Sequence, residues 1–149
     1  FYDDKFDRVR ECVEEVSLIK DSIEILKSKG YNLVVATNPI FPIKAIHKRI
    51  EWAGLDIEDF SYITCYEKNC YCKPHIQFYE EVLDAIGKEP EKCYMVGNDV
   101  QEDLVAGKLG IETYLITNYM INRNNEEVNS TYQGTYEDFY EFVKGLEAV

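Results

Sequence analysis

A chain of 149 residues, 46% hydrophobic and 30% charged, is long enough to bury one core, and no compositional break marks a second domain, so a single unit over 1–149 is expected. A net charge of −12 sets the surface against phosphate backbones and anionic membranes, which excludes nucleic acid and membrane surfaces as expected partners. No apolar run approaches the roughly 18–20 residues of a membrane span, and Phe1-Tyr2-Asp3-Asp4-Lys5 lacks the basic-then-apolar pattern of an export signal. Five cysteines, Cys12, Cys65, Cys70, Cys72 and Cys93, are an odd number that suits free thiols in a reducing compartment, so a cytoplasmic location is expected. Phe1 is not expected to be the natural start, because no initiating Met precedes it.

From Asp4 to Lys29, Val9, Val13, Val16, Ile19, Ile23 and Leu26 recur at three- and four-residue steps, and Gly30 supplies a stop. This pattern predicts one amphipathic helix, or two with a break near Ser17. Tyr31 to Ala36 is a short β-branched and apolar run ending in Thr37-Asn38-Pro39, which predicts a buried strand entering a loop. Pro42 to Ala53 returns to helical spacing and stops at Gly54. Phe60 to Tyr66 is expected to be a strand, His75 to Ile86 a helix closed by Gly87, and Cys93 to Val96 a strand leading into Gly97-Asn98-Asp99. Gln101 to Leu109 reads as a short helix, Glu112 to Thr117 as a strand, and Thr135 to Leu146 as a final helix whose aromatic residues pack the core. The Asn-rich stretch from Asn118 to Gln133 reads as an ordered surface loop or flexible connection. Four strands alternating with helices predict parallel βαβ units and an α/β fold, a Rossmann-like three-layer sandwich with a parallel sheet.

Ligands of open α/β sheets collect at the carboxyl ends of the strands. Three places lie there: Thr37-Asn38, Lys73-Pro74, and Asp99 with Asp103. Two acids four residues apart after a glycine can face one side of a helix start and invite a hard cation such as Mg²⁺. The plainer alternative makes Asp99 an N-cap and Asp103 a solvated helix residue. Lys73 precedes a proline, which holds it extended and lets its ammonium neutralise a phosphoryl group; most such pairs are surface helix starts. Thr37 and Asn38 offer a hydroxyl, an amide and loop N–H groups to an anion, or form ordinary turn chemistry before Pro39.

Taken together, these places resemble the haloacid dehalogenase-like (HAD) superfamily. Its second motif, a hydrophobic strand ending in Ser or Thr, is similar to Leu33-Val34-Val35-Ala36-Thr37-Asn38; its third-motif lysine is similar to Lys73 in Cys72-Lys73-Pro74. Its fourth motif is similar to Met95-Val96-Gly97-Asn98-Asp99-Val100-Gln101-Glu102-Asp103, followed by Leu104 to Gly110. The resemblance covers nearly the whole chain. It implies a Mg²⁺-dependent hydrolase, a phosphatase acting on a small phosphorylated metabolite through a phospho-aspartate. In that scheme Thr37 hydrogen-bonds the phosphoryl oxygens with Asn38 shaping the loop, and Lys73 stabilises charge on nucleophile and phosphoryl group. Asp99 binds Mg²⁺ directly, while Asp103 lies just outside the direct ligands or orients Lys73.

The family's first motif, D-x-D-G-T, occurs nowhere in the sequence. The resemblance implies that its strand is central, between those carrying Thr37 and Asp99, and that residues 1 to about 10 are the end of an inserted cap. The core is therefore expected to be incomplete at its N-terminus, and this chain alone is expected to be inactive. A dehalogenase is the less favoured chemistry, because it needs no Mg²⁺ site and both acids of the fourth motif are kept. A non-catalytic HAD-fold binding or regulatory protein is the alternative class. A zinc site at Cys65, Cys70, Cys72 and His75 is a third reading, disfavoured by the unusual Cys-x4-Cys-x-Cys spacing.

Overall fold

The computed structural model describes residues 1–149, and the chain divides into two compact units: Phe1–Cys70 with Leu146–Val149, and Tyr71–Gly145. Both are built from parallel strands and helices, which is the expected α/β class. No helix is long and apolar enough to cross a membrane.

In the first unit the long amphipathic segment splits into a 3-10 helix, Lys5–Cys12, and α1, Ser17–Ser28. The break runs from Val13 to Val16, both in extended conformation. Glu11, Glu14 and Glu15 stand three and four residues apart, so a continuous helix there would stack like charges, and two β-branched valines favour extended backbone. α1 ends at Gly30, whose φ of +87° lies in the left-handed region that glycine enters at little cost.

The two strands of this unit, β1 (Val34–Val35) and β2 (Tyr62–Ile63), pair in parallel, Val34 with Tyr62 and Val35 with Ile63. They are much shorter than the apolar runs that contain them. Backbone bonds from Ser61 N–H to the Leu33 carbonyl (2.9 Å) and from Thr64 N–H to the Val35 carbonyl (3.0 Å) continue the pairing beyond both ends. α2, Ile43–Trp52, buries Ile46 and Ile50 against Ile63 and Cys65, with Val35, Leu55 and Phe60 packed around them. The other side of α2 presents Ala45 and Trp52 to Phe6, which anchors the N-terminal 3-10 helix.

In the second unit α3 (Ile76–Ile86) closes at Gly87, where φ is +62°. Strands β3 (Tyr94–Gly97), β4 (Glu112–Ile116) and β5 (Tyr132–Gly134) form one parallel sheet in that order. β4 is buried from Thr113 to Ile116, as befits a central strand covered on both faces. β5 departs from expectation: it lies at the end of the Asn-rich stretch read as a loop or flexible connection, making five strands rather than four. Its pairing is prepared by Thr113 and Thr131, each of which donates its backbone N–H to the other's hydroxyl, at 3.0 and 3.1 Å. The expected helix from Gln101 to Leu109 is shorter, a 3-10 segment Leu104–Leu109, because 99–103 is taken up by a tight turn. α4, Tyr136–Gly145, lays Phe139 and Phe142 on the Tyr114 ring, with centroids 5.0 Å away in each case.

Candidate active site

The carboxyl end of β3 runs into a bend at Asn98 and a turn from Asp99 to Asp103 that its own side chains close. Asp103 N–H donates to the Asp99 carbonyl (2.9 Å), while Asp103 Oδ2 accepts the Asp99 N–H (3.0 Å). Asp99 Oδ1 accepts the N–H groups of Gln101 and Glu102 at 3.1 and 3.0 Å. Asp99 thus caps its own turn, as the plainer alternative supposed, but Asp103 is 6% exposed and not a solvated helix residue.

Lys73 reaches this turn from the segment before α3, its peptide bond to Pro74 being cis. Its Nζ lies 2.7 Å from Asp103 Oδ1, and the two side chains are only 7% and 8% exposed. The rings of Phe78 and Tyr79, on the first turn of α3, lie 5.6 and 5.9 Å from the same ammonium. A buried ion pair of this kind stands only when both partners are well bonded, and Asp103 has each oxygen engaged by a donor.

Tyr79 supports the turn from below. It is buried, and its O–H donates to the Glu102 carbonyl at 2.6 Å. Burial, reinforced by the carboxylates of Asp103, Glu102 and Asp99, pushes its phenol far above the usual range, so the donor stays protonated. Gly97 makes room for the arrangement: a β-carbon there would fall 2.0 Å from Asp103 Oδ2 and 2.4 Å from its Cγ.

The solvent side of Asp99 faces Arg123, whose Nη1 lies 2.8 Å from Oδ1 and 2.7 Å from Oδ2. Nη2 is 3.5 Å from Glu102 Oε1, and the guanidinium side chain is half exposed. Arg123 was not foreseen from sequence, since it lies in the Asn-rich stretch 24 residues beyond its partner. The available signal was position: like Asp99, it follows the carboxyl end of a strand.

Thr37 and Asn38 belong to the first unit, at the carboxyl end of β1. The backbone of Thr37 is gripped by the fully buried Thr64, whose Oγ1 accepts the Thr37 N–H (2.9 Å) and donates to the Thr37 carbonyl (2.6 Å). This grip uses only main-chain groups of Thr37 and leaves its hydroxyl out of the clamp. Lys73, Asp99 and Asp103 are brought together within the second unit.

As a cation site, the turn offers carboxylates of two kinds. Both oxygens of Asp103 are held by Lys73 and a backbone N–H, whereas Asp99 Oδ2 faces a half-exposed side chain. No cluster of three or more His, Cys, Asp or Glu side chains forms, which leaves the zinc reading of Cys65, Cys70, Cys72 and His75 without a site. Cys65 is instead a core residue whose thiol is pushed up by burial. A cleft of 460 Å³ in the first unit is lined by Lys20, Glu24, Lys27, Glu51 and Asp59 among others, and none of the predicted site residues lines it.

The chain is 34% identical over 105 residues to a glyceraldehyde 3-phosphate phosphatase of Methanothermobacter thermautotrophicus, covering 69% of this chain and 45% of that protein. It is 28% identical over 98 residues to the pyrophosphatase PpaX of Bacillus cereus, covering 66% of this chain and 44% of that one. The chain thus spans about half the length of the curated relatives it matches. Among solved structures, an HAD phosphatase from Thermococcus onnurineus superposes with a TM-score of 0.77 at 21% identity, covering 100% of this chain and 66% of that one. The HAD hydrolase YfnB from Bacillus subtilis, determined bound to magnesium, gives 0.70 at 22% identity, covering 86% and 55%. Both likenesses bear on the fold. The family pattern of haloacid dehalogenase-like hydrolases matches residues 5–110, a span that takes in β1, Lys73 and the whole Asp99–Asp103 turn, and the chain belongs to that family.

Proposed function

We propose that this chain is the lysine- and cation-loop part of a cytoplasmic phosphatase core acting on a small phosphorylated molecule. The observation that carries the reading is the buried Lys73–Asp103 pair beside the Asp99 carboxylate, all at the carboxyl end of β3. An ammonium held by a carboxylate and screened from water suits neutralising a phosphoryl oxygen, and it keeps its place without a substrate. Phosphatase names among the curated relatives support the same reaction class.

Asp99 fits Mg²⁺ through Oδ2, since the turn's own N–H groups bond Oδ1 and Mg²⁺ takes one or two carboxylates and fills its remaining positions with water and substrate phosphate. When bound, Mg²⁺ supplies positive charge to the phosphoryl oxygens. Lys73 shares that role, Asp103 positions Lys73, and Thr37 hydrogen-bonds the phosphoryl oxygens, with Asn38 shaping its loop. In the two-step reaction a carboxylate attacks phosphorus and the alcohol leaves; water then cleaves the acyl phosphate and releases inorganic phosphate. The attacking carboxylate is not among these residues, because D-x-D-G-T does not occur in the sequence.

Calorimetric titration of the 149-residue chain with inorganic phosphate, with and without Mg²⁺, tests the reading. Mg²⁺-dependent phosphate binding is expected, with Lys73→Ala weakening phosphate and Asp99→Asn abolishing the Mg²⁺ dependence. The same chain is expected to show no hydrolysis of p-nitrophenyl phosphate. Phosphate binding indifferent to Mg²⁺ and to both substitutions overturns the proposal, and Mg²⁺-dependent turnover overturns the statement that the nucleophile lies outside these residues.

A further inference from the structure

Arg123 does not meet Asp99 by chance of a loose loop. Ile121 N–H donates to the Asn98 carbonyl (2.8 Å) and Val100 N–H to the Ile121 carbonyl (2.9 Å), so 119–121 is zipped to the Asp99 turn. Asn98 Nδ2 adds a bond to the Tyr119 carbonyl at 2.8 Å. The Gln101 side chain then grips the next two residues: its Nε2 donates to Asn122 Oδ1 (2.8 Å), and its Oε1 accepts the Arg123 N–H (3.0 Å). Five hydrogen bonds thus deliver one guanidinium onto both Asp99 oxygens, on the side open to solvent.

On the reading of Asp99 as a cation ligand, we propose that Arg123 is a resident counter-charge that competes with the divalent cation for Asp99 and is displaced from it on binding. The other donors to Asp99, the Gln101 and Glu102 N–H groups, are fixed parts of the turn. A guanidinium with half its side-chain surface in water is the partner that can leave. Its contacts are to carboxylates of Asp99 and Glu102, so keeping it in place while a dication arrives sets two mutually repelling cations on one carboxylate. Release resolves the conflict, and Arg123 thereby sets how much cation the site needs.

The test is Mn²⁺ affinity of the 149-residue chain, read as free Mn²⁺ by electron paramagnetic resonance, with folding of each variant checked by circular dichroism. Arg123→Gln is expected to tighten Mn²⁺ binding about fivefold, the size set by an ion pair with one solvated partner. Arg123→Lys, which keeps the charge and loses the fork, is expected to fall between the two. Lys108→Gln removes the same charge from an exposed position of the same unit and is expected to leave the affinity unchanged. Asp99→Asn is expected to abolish binding. If Asp99→Asn abolishes binding while Arg123→Gln matches or weakens the wild type, or tightens it no more than Lys108→Gln, the competition is wrong and the cation site stands. If Asp99→Asn changes nothing, or no variant binds Mn²⁺, the cation reading itself is wrong and the competition falls with it.

Discussion

Gly97 and Asp103 occupy space that only one of them can fill: a β-carbon on Gly97 would sit 2.0 Å from Asp103 Oδ2. Asp103 cannot swing aside, because its two oxygens are held by Lys73 and by the Asp99 N–H. Gly97→Ala is therefore expected to destabilise the protein by about 3 kcal/mol, the upper part of the range for overpacking. Chemical denaturation measures it; a loss below about 0.5 kcal/mol would mean that the turn yields easily.

The Lys73–Asp103 pair predicts strong non-additivity. Lys73→Met leaves a carboxylate 8% exposed without its cation, at a cost of about 3–5 kcal/mol. Asp103→Leu strands the ammonium by the same logic. The double variant is expected to recover part of the sum, though not all, because the Asp99 N–H loses its acceptor. Purely additive losses in denaturant midpoints would show the pair to be uncoupled.

Thr64 predicts a local effect at the end of β1. Thr64→Val removes the acceptor of the Thr37 N–H and a donor to the Thr37 carbonyl. The expected loss is about 1–3 kcal/mol, with faster amide hydrogen exchange at Thr37 than at the α2 amides. Unchanged exchange at Thr37 would show that the clamp does not order the loop.

The start of α4 predicts a pH dependence. Asp138 Oδ2 accepts the Thr135 N–H (2.9 Å) and its hydroxyl (3.0 Å), and these bonds hold the Asp138 carboxyl below the ordinary 3.8. A depressed carboxylate contributes stability that is fully present above its unfolded pKa and is lost as pH falls through the lower folded value. Asp138→Ala is expected to lower the Tm by a few degrees at pH 7, and the difference from wild type should shrink below pH 3.8. A gap that stays constant into acid would assign the loss to packing.

What could be read in advance divides along physical lines. α2, α3 and α4 were legible because apolar periodicity and glycine stops act within one segment, and Gly87 closes α3 where expected. β5 was not, because Tyr132-Gln133-Gly134 has no alternation and becomes a strand through pairing with β4. The acids at the end of β3 stood out by spacing, whereas Thr64 looked like any β-branched strand residue and Tyr79 like any aromatic on a helix face. Arg123 was hidden for a different reason: ion pairs across a long loop leave no periodic trace, and only the bonds of Gln101 and Asn98 bring it to Asp99.

The passage from β4 to β5 must return to the other end of the sheet, and it does so without a helix. Its first part is tied to the Asp99 turn, and Asn122 closes a small ring of its own with both backbone groups of Glu126. The remainder, 127–130, carries no such ties, with Glu127 and Asn129 exposed and Val128 and Ser130 half-buried. The passage thus has a fixed half and a slack half. A few residues, or a fluorophore, grafted into 127–130 should be absorbed without shifting either strand, while the same insertion two or three residues before Arg123 would uncouple its charge from Asp99 altogether.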